Sequence, residues 1–103
     1  MQKHGDKSNT RIYALSGILI DGKIYETHRA VREAIADGFE GLIVLDFKGV
    51  TAMDSRALGA LISMWKMVDT DKIDLVIYKP QGLVKDLLFD TNLSRVIKIV
   101  NKY

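Results

Sequence analysis

Two short apolar segments constrain the fold of this chain more than any other part of its sequence. LIVLDF begins at Leu42 and IDLVIY begins at Ile73, and each contains four consecutive apolar residues. Short, uninterrupted apolar runs are typical of strands that a sheet buries on both faces. The two segments therefore predict a largely parallel sheet with helices packed against it.

The segment between these strands predicts a helix from about Ser55 to Val68. Apolar residues recur there at three- and four-residue spacings, as on the buried face of an amphipathic helix. The expected inner face comprises Leu58, Leu61, Ile62, Trp65 and Val68. Gly59 interrupts the helix at a cost of about 1 kcal/mol relative to alanine, so close packing against the sheet is the expected reason for a glycine there.

The flanking sequence continues the alternation of strands and helices. RIYALSG from Arg11 predicts a first strand, and residues 23–37 predict a helix with His28 packed on its apolar face. A short helix over residues 83–89 and a last strand in RVIKIV complete the pattern. In this helix Leu83 and Leu87 are expected to face inward, with Val84 and Leu88 as further candidates.

These elements predict one α/β domain over residues 11–103, preceded by a flexible polar tail at residues 1–10. The domain should contain a mixed, mostly parallel sheet of four or five strands with three helices packed against it. A length of 103 residues, 48% of them hydrophobic, is sufficient for one such core.

Composition excludes several classes of function. The chain has no cysteine, and its two histidines are far apart, which argues against a metal or another cofactor. A formal net charge of +2 with interspersed signs argues against nucleic acid as a partner. The apolar runs are too short for membrane insertion and the N-terminus lacks a signal sequence, so we expect a cytoplasmic protein.

Ser55 is the residue whose position most needs an explanation, because it lies where a strand and turn precede the second helix. A hydroxyl at a helix start can cap the helix, and the same position accommodates an added phosphate. Asp54 and Asp46 fit turn-forming and capping roles. Ser55 has no sequence-evident base and no known catalytic motif surrounds it, so an enzyme is not expected.

Four ordered segments of this chain resemble the STAS family, the anti-sigma-factor antagonists of bacteria. The family pattern contains a strand ending in LSGELD, a strand ending in aspartate, and D-S-[S/T]-G-L-G at a helix start. Here LSGILID begins at Leu15, LIVLDF at Leu42, VTAMDSRALGALI at Val50 and LFDTNLSRVIKIV at Leu88. The resemblance extends from about Ile12 to Val100.

The resemblance implies a phosphorylation switch in transcription regulation. An unphosphorylated STAS antagonist binds an anti-sigma factor that is also a serine kinase; phosphorylation ends that binding until a phosphatase restores it. Carried over, Ser55 would be the phosphorylated residue, and the partner surface would include Asp21, Met53, Asp54, Ser55 and Arg56. Nucleotide and magnesium would belong to the kinase.

This sequence departs from the family pattern beside the proposed switch. Arg56 stands where the second hydroxyl is usual, Ala57 replaces a glycine, and Ile18 and Ile20 replace acidic residues of LSGELD. Two other hypotheses therefore stay open: a non-phosphorylated STAS scaffolding subunit of a signalling or transport complex, and a small ligand-binding domain. The polar tail is a poor edge strand, and an uncovered edge would favour a homodimer.

Overall fold

The computed structural model describes residues 9–68 and 70–103, in which strands and helices alternate along the chain. The strands are β1 (Thr10–Leu19), β2 (Gly41–Met53), β3 (Ile73–Tyr78) and β4 (Lys98–Val100). The helices are α1 (Tyr25–Ala36), α2 (Ser55–Met67) and α3 (Gly82–Asp90). This order confirms the predicted α/β class with three helices. Residues 1–8 of the predicted tail lie outside the described residues, while Thr10 already belongs to β1.

The four strands form one sheet in the order β1-β2-β3-β4, and every neighbouring pair is parallel. Right-handed crossovers between consecutive strands place all the connecting helices on the same face of such a sheet. Accordingly, the buried residues of α1, α2 and α3 form a single cluster with one face of the strands. This helix-covered face holds the largest fully buried side chains, among them Ile43, Leu45, Phe47, Leu61 and Ile77.

A second, smaller apolar cluster lies on the opposite face of the sheet. It consists of Leu42, Val44 and Val76, against which Tyr78 packs. The ring of Tyr103 meets the ring of Tyr78 edge-on with centroids 5.0 Å apart. Both faces of β2 and β3 are therefore buried, as their uninterrupted apolar sequences predicted.

β2 is longer than the six residues expected, because its backbone accommodates two irregularities. Opposite Ala14–Ser16 and again opposite Gly17–Ile18, the β2 register advances by one extra residue relative to β1. At the first bulge, Asp46 Oδ1 accepts a hydrogen bond of 3.0 Å from the Lys48 N–H. The strand thus continues to Met53, where the sequence had predicted a turn.

The buried face of α2 is rotated relative to the expected one. Ala57, Ala60, Leu61 and Met64 are buried, at helical spacings of three and four residues. Ile62 and Trp65, expected in the core, are 38% and 37% exposed. The prediction gave weight to large side chains and overlooked the alanines, which bring the helix close to the sheet.

Gly59 does not serve the packing role that was predicted for it. The residue is exposed, and a Cβ atom built on it would meet nothing within 4 Å. In α3 the inward position predicted for Leu83 is wrong, because Leu83 is 80% exposed, whereas Val84 and Leu88 are buried as expected. The last strand is also shorter than predicted, since Leu93–Arg95 forms a 3-10 turn before β4.

His28 packs between the first two helices as expected, although it is only half-buried. Its Nε2 atom and Ser63 Oγ of α2 share a hydrogen bond of 2.9 Å. Burial, and secondarily the charge of Arg32, lowers the pKa of His28, which favours the neutral imidazole. This contact joins α1 to the helix that begins at Ser55.

Candidate functional site

The candidate site lies at the carboxyl ends of β1 and β2, which the parallel register brings together. Leu19, the last residue of β1, is paired with Met53, the last residue of β2. β1 then turns at Asp21 and Gly22, whose φ angles of 54° and 84° lie in the left-handed region. The predicted site residues on both segments therefore meet at one corner of the sheet.

Asp54 connects the two segments through both oxygens of its carboxylate. Oδ1 accepts a hydrogen bond of 3.0 Å from the Ala57 N–H, so Asp54 is the N-cap of α2. Oδ2 accepts one of 3.2 Å from the Asp21 N–H in the turn after β1. The capping role predicted for Asp54 is confirmed, and the same side chain fixes the turn against the helix.

These contacts keep Asp54 ionised. The hydrogen bond from the Ala57 N–H is the largest cause that lowers the pKa of Asp54, with smaller contributions from the Asp21 N–H and the positive charge of Arg56. Together they outweigh the opposing effect of burial. The corner next to Ser55 therefore carries a negative charge at neutral pH.

Ser55 is the first residue of α2 and is exposed. The alternative that Ser55 caps the helix is wrong, because Asp54 occupies the N-cap position and supplies the capping oxygen. Arg56 is exposed beside Ser55, whereas Ala57 is 1% exposed and belongs to the core. Arg56 and Ala57 are the two residues next to Ser55 that differ from the family pattern. Only Arg56 changes the surface.

Exposed apolar side chains lie beside this corner, and Ile18, Ile20 and Leu83 among them were not assigned to the site from the sequence. Ile18 and Ile20 of the β1 end are 50% and 41% exposed. A groove of about 250 Å³ lies between the end of β2 and α3, lined in part by Met53 and the exposed Leu83. No local pattern in the sequence distinguished the exposed Leu83 from the buried Val84 that follows it.

Residues 9–68 and 70–103 contain no group of three histidine, aspartate or glutamate side chains that could hold a metal ion. None of the helices described is long and apolar enough to cross a membrane. The site therefore presents an exposed hydroxyl, two carboxylates and an arginine at one corner of the sheet.

The pH dependence of stability should report the capping role of Asp54. The folded pKa of Asp54 lies below its ordinary value of 3.8, so the ionised carboxylate stabilises the folded state. This contribution to the free energy of unfolding is present above about pH 4 and is lost as the pH falls through the folded pKa. Asp54→Ala should lower the unfolding midpoint at pH 7. Asp54→Ser should retain the cap but remove this part of the acid sensitivity.

Urea unfolding of the wild-type protein, Asp54→Ala and Asp54→Ser between about pH 3 and pH 7 measures the effect. The wild-type midpoint should fall more steeply on acidification than that of Asp54→Ser. Parallel curves for these two proteins would show that the Asp54 charge does not contribute.

The fold and the site together define a small parallel α/β domain with helices on one face and an exposed serine at the start of its second helix. A family model confirms this class in more specific terms: residues 3–103 match the STAS domain. The chain belongs to the STAS domain family. A search of curated proteins finds no significant match.

Similar solved structures include proteins described as anti-sigma factor antagonists. The crystal structure of TM1081 from Thermotoga maritima superposes with a TM-score of 0.79 at 24% identity, covering 97% of this chain and 84% of that one. SpoIIAA in its unphosphorylated form gives a TM-score of 0.74 at 17% identity, covering 90% and 81%. The NMR structure of TM1081 gives 0.72 at 21%, covering 91% and 75%.

Proposed function

We propose that this chain is an anti-sigma-factor antagonist that binds a serine-kinase anti-sigma factor and is released when Ser55 is phosphorylated. The supporting observation is that Asp54, and not Ser55, caps α2, so that the Ser55 side chain is exposed and is not needed for capping. A hydroxyl that the fold does not need for capping can be modified without unfolding the helix. The structures of TM1081 and SpoIIAA are described with the words anti-sigma factor antagonist, which supports the same role for this chain.

The proposed docking surface is the corner formed by Asp21, Met53, Asp54, Ser55 and Arg56. Asp21 and Asp54 are held together by a backbone-to-carboxylate hydrogen bond, so this part of the surface is rigid before a partner arrives. Exposed apolar side chains next to polar groups are the two components of a protein interface, which combines an apolar core with a polar rim. The role in transcription regulation in the cytoplasm follows from the proposed partner.

The position of Ser55 also favours phosphorylation on electrostatic grounds. The Ala57 N–H of this helix start is already bonded to Asp54, but the positive end of the helix dipole still stabilises an anion on the first turn. A phosphate would add a charge of about −1.5 to −2 at that place. The modified protein should stay folded while its docking surface changes.

The STAS scaffolding subunit is the second candidate, and the exposed Arg56 favours it. Arg56 places a long, charged side chain directly beside Ser55, where the family pattern has a small hydroxyl residue. A kinase that needs room at this position would be obstructed. In that case the chain would bind its partner without phosphate turnover.

Intact-mass analysis after incubation with candidate anti-sigma kinases and ATP tests the proposal. We expect wild-type protein to gain one phosphate and Ser55→Ala to gain none. Thr51→Ala serves as the matched control, because Thr51 is an exposed hydroxyl four residues away on β2. That variant should be phosphorylated like the wild-type protein.

Pull-down before and after the reaction then separates the two candidate functions. Loss of kinase binding that accompanies phosphorylation in wild type, and not in Ser55→Ala, would support the switch. A kinase that binds the protein stably but leaves Ser55 unmodified would contradict the switch for that pair and support a scaffolding role.

A further inference from the structure

Leu83, at the start of α3, is 80% exposed, more than any other large apolar side chain in residues 9–68 and 70–103. A single exposed leucine is common on protein surfaces and needs no function. Leu83, however, forms one wall of the groove of about 250 Å³ between the end of β2 and α3. The described residues that line this groove are all apolar: Ala52, Met53, Leu83, Val84 and Leu87. Leu83 therefore extends an apolar groove and is not an isolated side chain.

The packing of α3 fixes the position of Leu83 on the surface. The next residue, Val84, and Leu88 one turn later are 1% and 0% exposed, so they hold the helix in the core. The Lys85 N–H donates a hydrogen bond of 3.3 Å to the Gln81 carbonyl oxygen, which closes the first turn. An apolar side chain on a helix that is already packed loses less conformational freedom when a partner covers it.

The size and lining of the groove favour a protein side chain over a small molecule. Small-molecule sites usually have volumes of about 300–1,000 Å³ and a few polar groups that orient the ligand. This groove is smaller, and its described lining residues include no polar side chain. An apolar side chain of a protein partner suits both its volume and its lining.

The groove adjoins the proposed docking surface. Met53 belongs to both, and Asp54 and Ser55 follow it directly in the chain. A partner that contacts Ser55 therefore comes within reach of the groove. Side chains that fill pockets in the apolar core of an interface supply most of its binding energy, while the surrounding polar groups exclude water. In this arrangement the groove is the apolar core, and Asp54, Ser55 and Arg56 belong to the polar rim.

We propose that the groove binds an apolar side chain of the kinase partner and that Leu83 packs against this side chain as the main apolar contact of the complex. The inference rests on the proposed function, because it assigns the groove to the kinase that acts on Ser55. It separates two roles on one surface. Leu83 and the groove stabilise the complex, whereas Ser55 carries the modification.

Binding measurements with the kinase that modifies Ser55 in the intact-mass experiment test the role of Leu83. Leu83→Ser should raise the dissociation constant by roughly 10- to 100-fold, because it removes a large contact from the apolar core. Leu83→Met should bind nearly as well as the wild-type protein, since it keeps the apolar volume. Phe89→Ser is the matched control, because Phe89 is 49% exposed on the same helix but is not among the residues that line the groove. Its affinity should equal that of the wild-type protein.

Stability and kinetics distinguish a docking role of Leu83 from a structural one. Because Leu83 is exposed, the thermal midpoint of Leu83→Ser should stay within a few degrees of the wild-type value. Phosphorylation should show a raised KM with an unchanged kcat, as expected for a contact made equally before and during the reaction. A folded Leu83→Ser that binds the kinase with wild-type affinity overturns the proposal. A wild-type protein that no candidate kinase binds overturns the proposed function, and this inference with it.

Ala52→Leu tests whether the groove itself receives the kinase side chain. Ala52 lines the groove and is only half-buried, so a leucine there fills space that the kinase side chain needs. Kinase affinity should fall about as much as with Leu83→Ser, while the thermal midpoint stays within a few degrees of the wild-type value. If Ala52→Leu is folded and binds the kinase like the wild-type protein, the groove is not the binding site and the proposal is wrong.

Sedimentation velocity of the full-length chain alone tests the other possible occupant, a second copy. The sedimentation coefficients of wild type and Leu83→Ser should agree at every concentration, because the groove is assigned to the kinase. Self-association of the wild-type protein that Leu83→Ser abolishes would place a second copy in the groove and overturn the proposal.

Discussion

Replacing Phe47 by alanine is expected to lower the free energy of unfolding by about 3–5 kcal/mol. Phe47 is completely buried in the cluster between β2 and the helices. Removing its ring loses the apolar area and leaves a cavity that the surrounding strands and helices cannot fully close. Since a domain of this size has a total stability of about 5–15 kcal/mol, this is the largest single-residue effect that we expect on the fold.

The Phe47→Ala substitution should also disturb the candidate site, because Phe47 lies in β2, the strand that precedes Asp54. The first bulge of β2 falls next to Phe47, and the strand then runs through Val50 to Met53. Thermal unfolding followed by circular dichroism should show a midpoint lowered by more than about 10 °C. Binding to a partner should weaken at temperatures where the variant is still folded.

Phe89→Ala provides the comparison, since Phe89 is the same residue type but 49% exposed on α3. We expect its midpoint to stay within a few degrees of that of the wild-type protein, as substitutions outside the core usually do. Similar losses for the two variants would mean that burial in the helix-covered face does not dominate the stability of the domain.

The elements that the sequence predicted best are those with a strong periodic signal. LIVLDF and IDLVIY are both buried strands, and α2 begins at Ser55 as the spacing indicated. A strand buried on both faces needs only local hydrophobicity to be recognised. The class of the fold follows from their alternation with helices.

Features that depend on tertiary contacts could not be predicted in the same way. The extension of β2 to Met53 requires two bulges, whose positions are set by pairing with β1. The rotation of α2 places the small Ala57 and Ala60 in the core, where their burial depends on packing against other elements. Neither the strand register nor the depth of a helix contact is encoded in local spacing.

The candidate site was predicted in part for the same reason. Asp54 and Ser55 were placed correctly at the start of α2, and capping was open to both, because only the geometry shows that the oxygen that reaches the Ala57 N–H belongs to Asp54. The hydrogen bond from the Asp21 N–H to Asp54 joins residues 33 positions apart. Such a contact depends on the parallel pairing of β1 and β2.

Phosphorylation of Ser55 is expected to weaken binding to the proposed anti-sigma kinase by roughly 100-fold, because added negative charge in a matched interface costs several kcal/mol. Asp54 is already ionised beside Ser55, since its pKa is lowered by the hydrogen bond from the Ala57 N–H and by weaker neighbours. A phosphate therefore adds to an existing negative charge. The partner surface that fits the unmodified corner should no longer match it.

Biolayer interferometry with the separated phosphorylated and unphosphorylated forms measures this loss. The thermal midpoints of the two forms should agree within a few degrees, because the phosphate lies on an exposed first-turn residue of α2. Equal affinities would contradict the prediction. If the phosphorylated form lost both its affinity and its thermal midpoint, the modification would unfold the domain and would not act as a surface switch.

Arg56 determines how large this effect is. Its guanidinium group is the nearest fixed positive charge on the exposed first turn and can form charge-assisted hydrogen bonds with a phosphate on Ser55. Such pairing neutralises part of the added charge, so phosphorylated Arg56→Ser should lose more affinity than the phosphorylated wild-type protein. The unmodified forms should bind alike if Arg56 acts only on the phosphate, whereas stronger binding by unmodified Arg56→Ser would show that the arginine obstructs the partner directly.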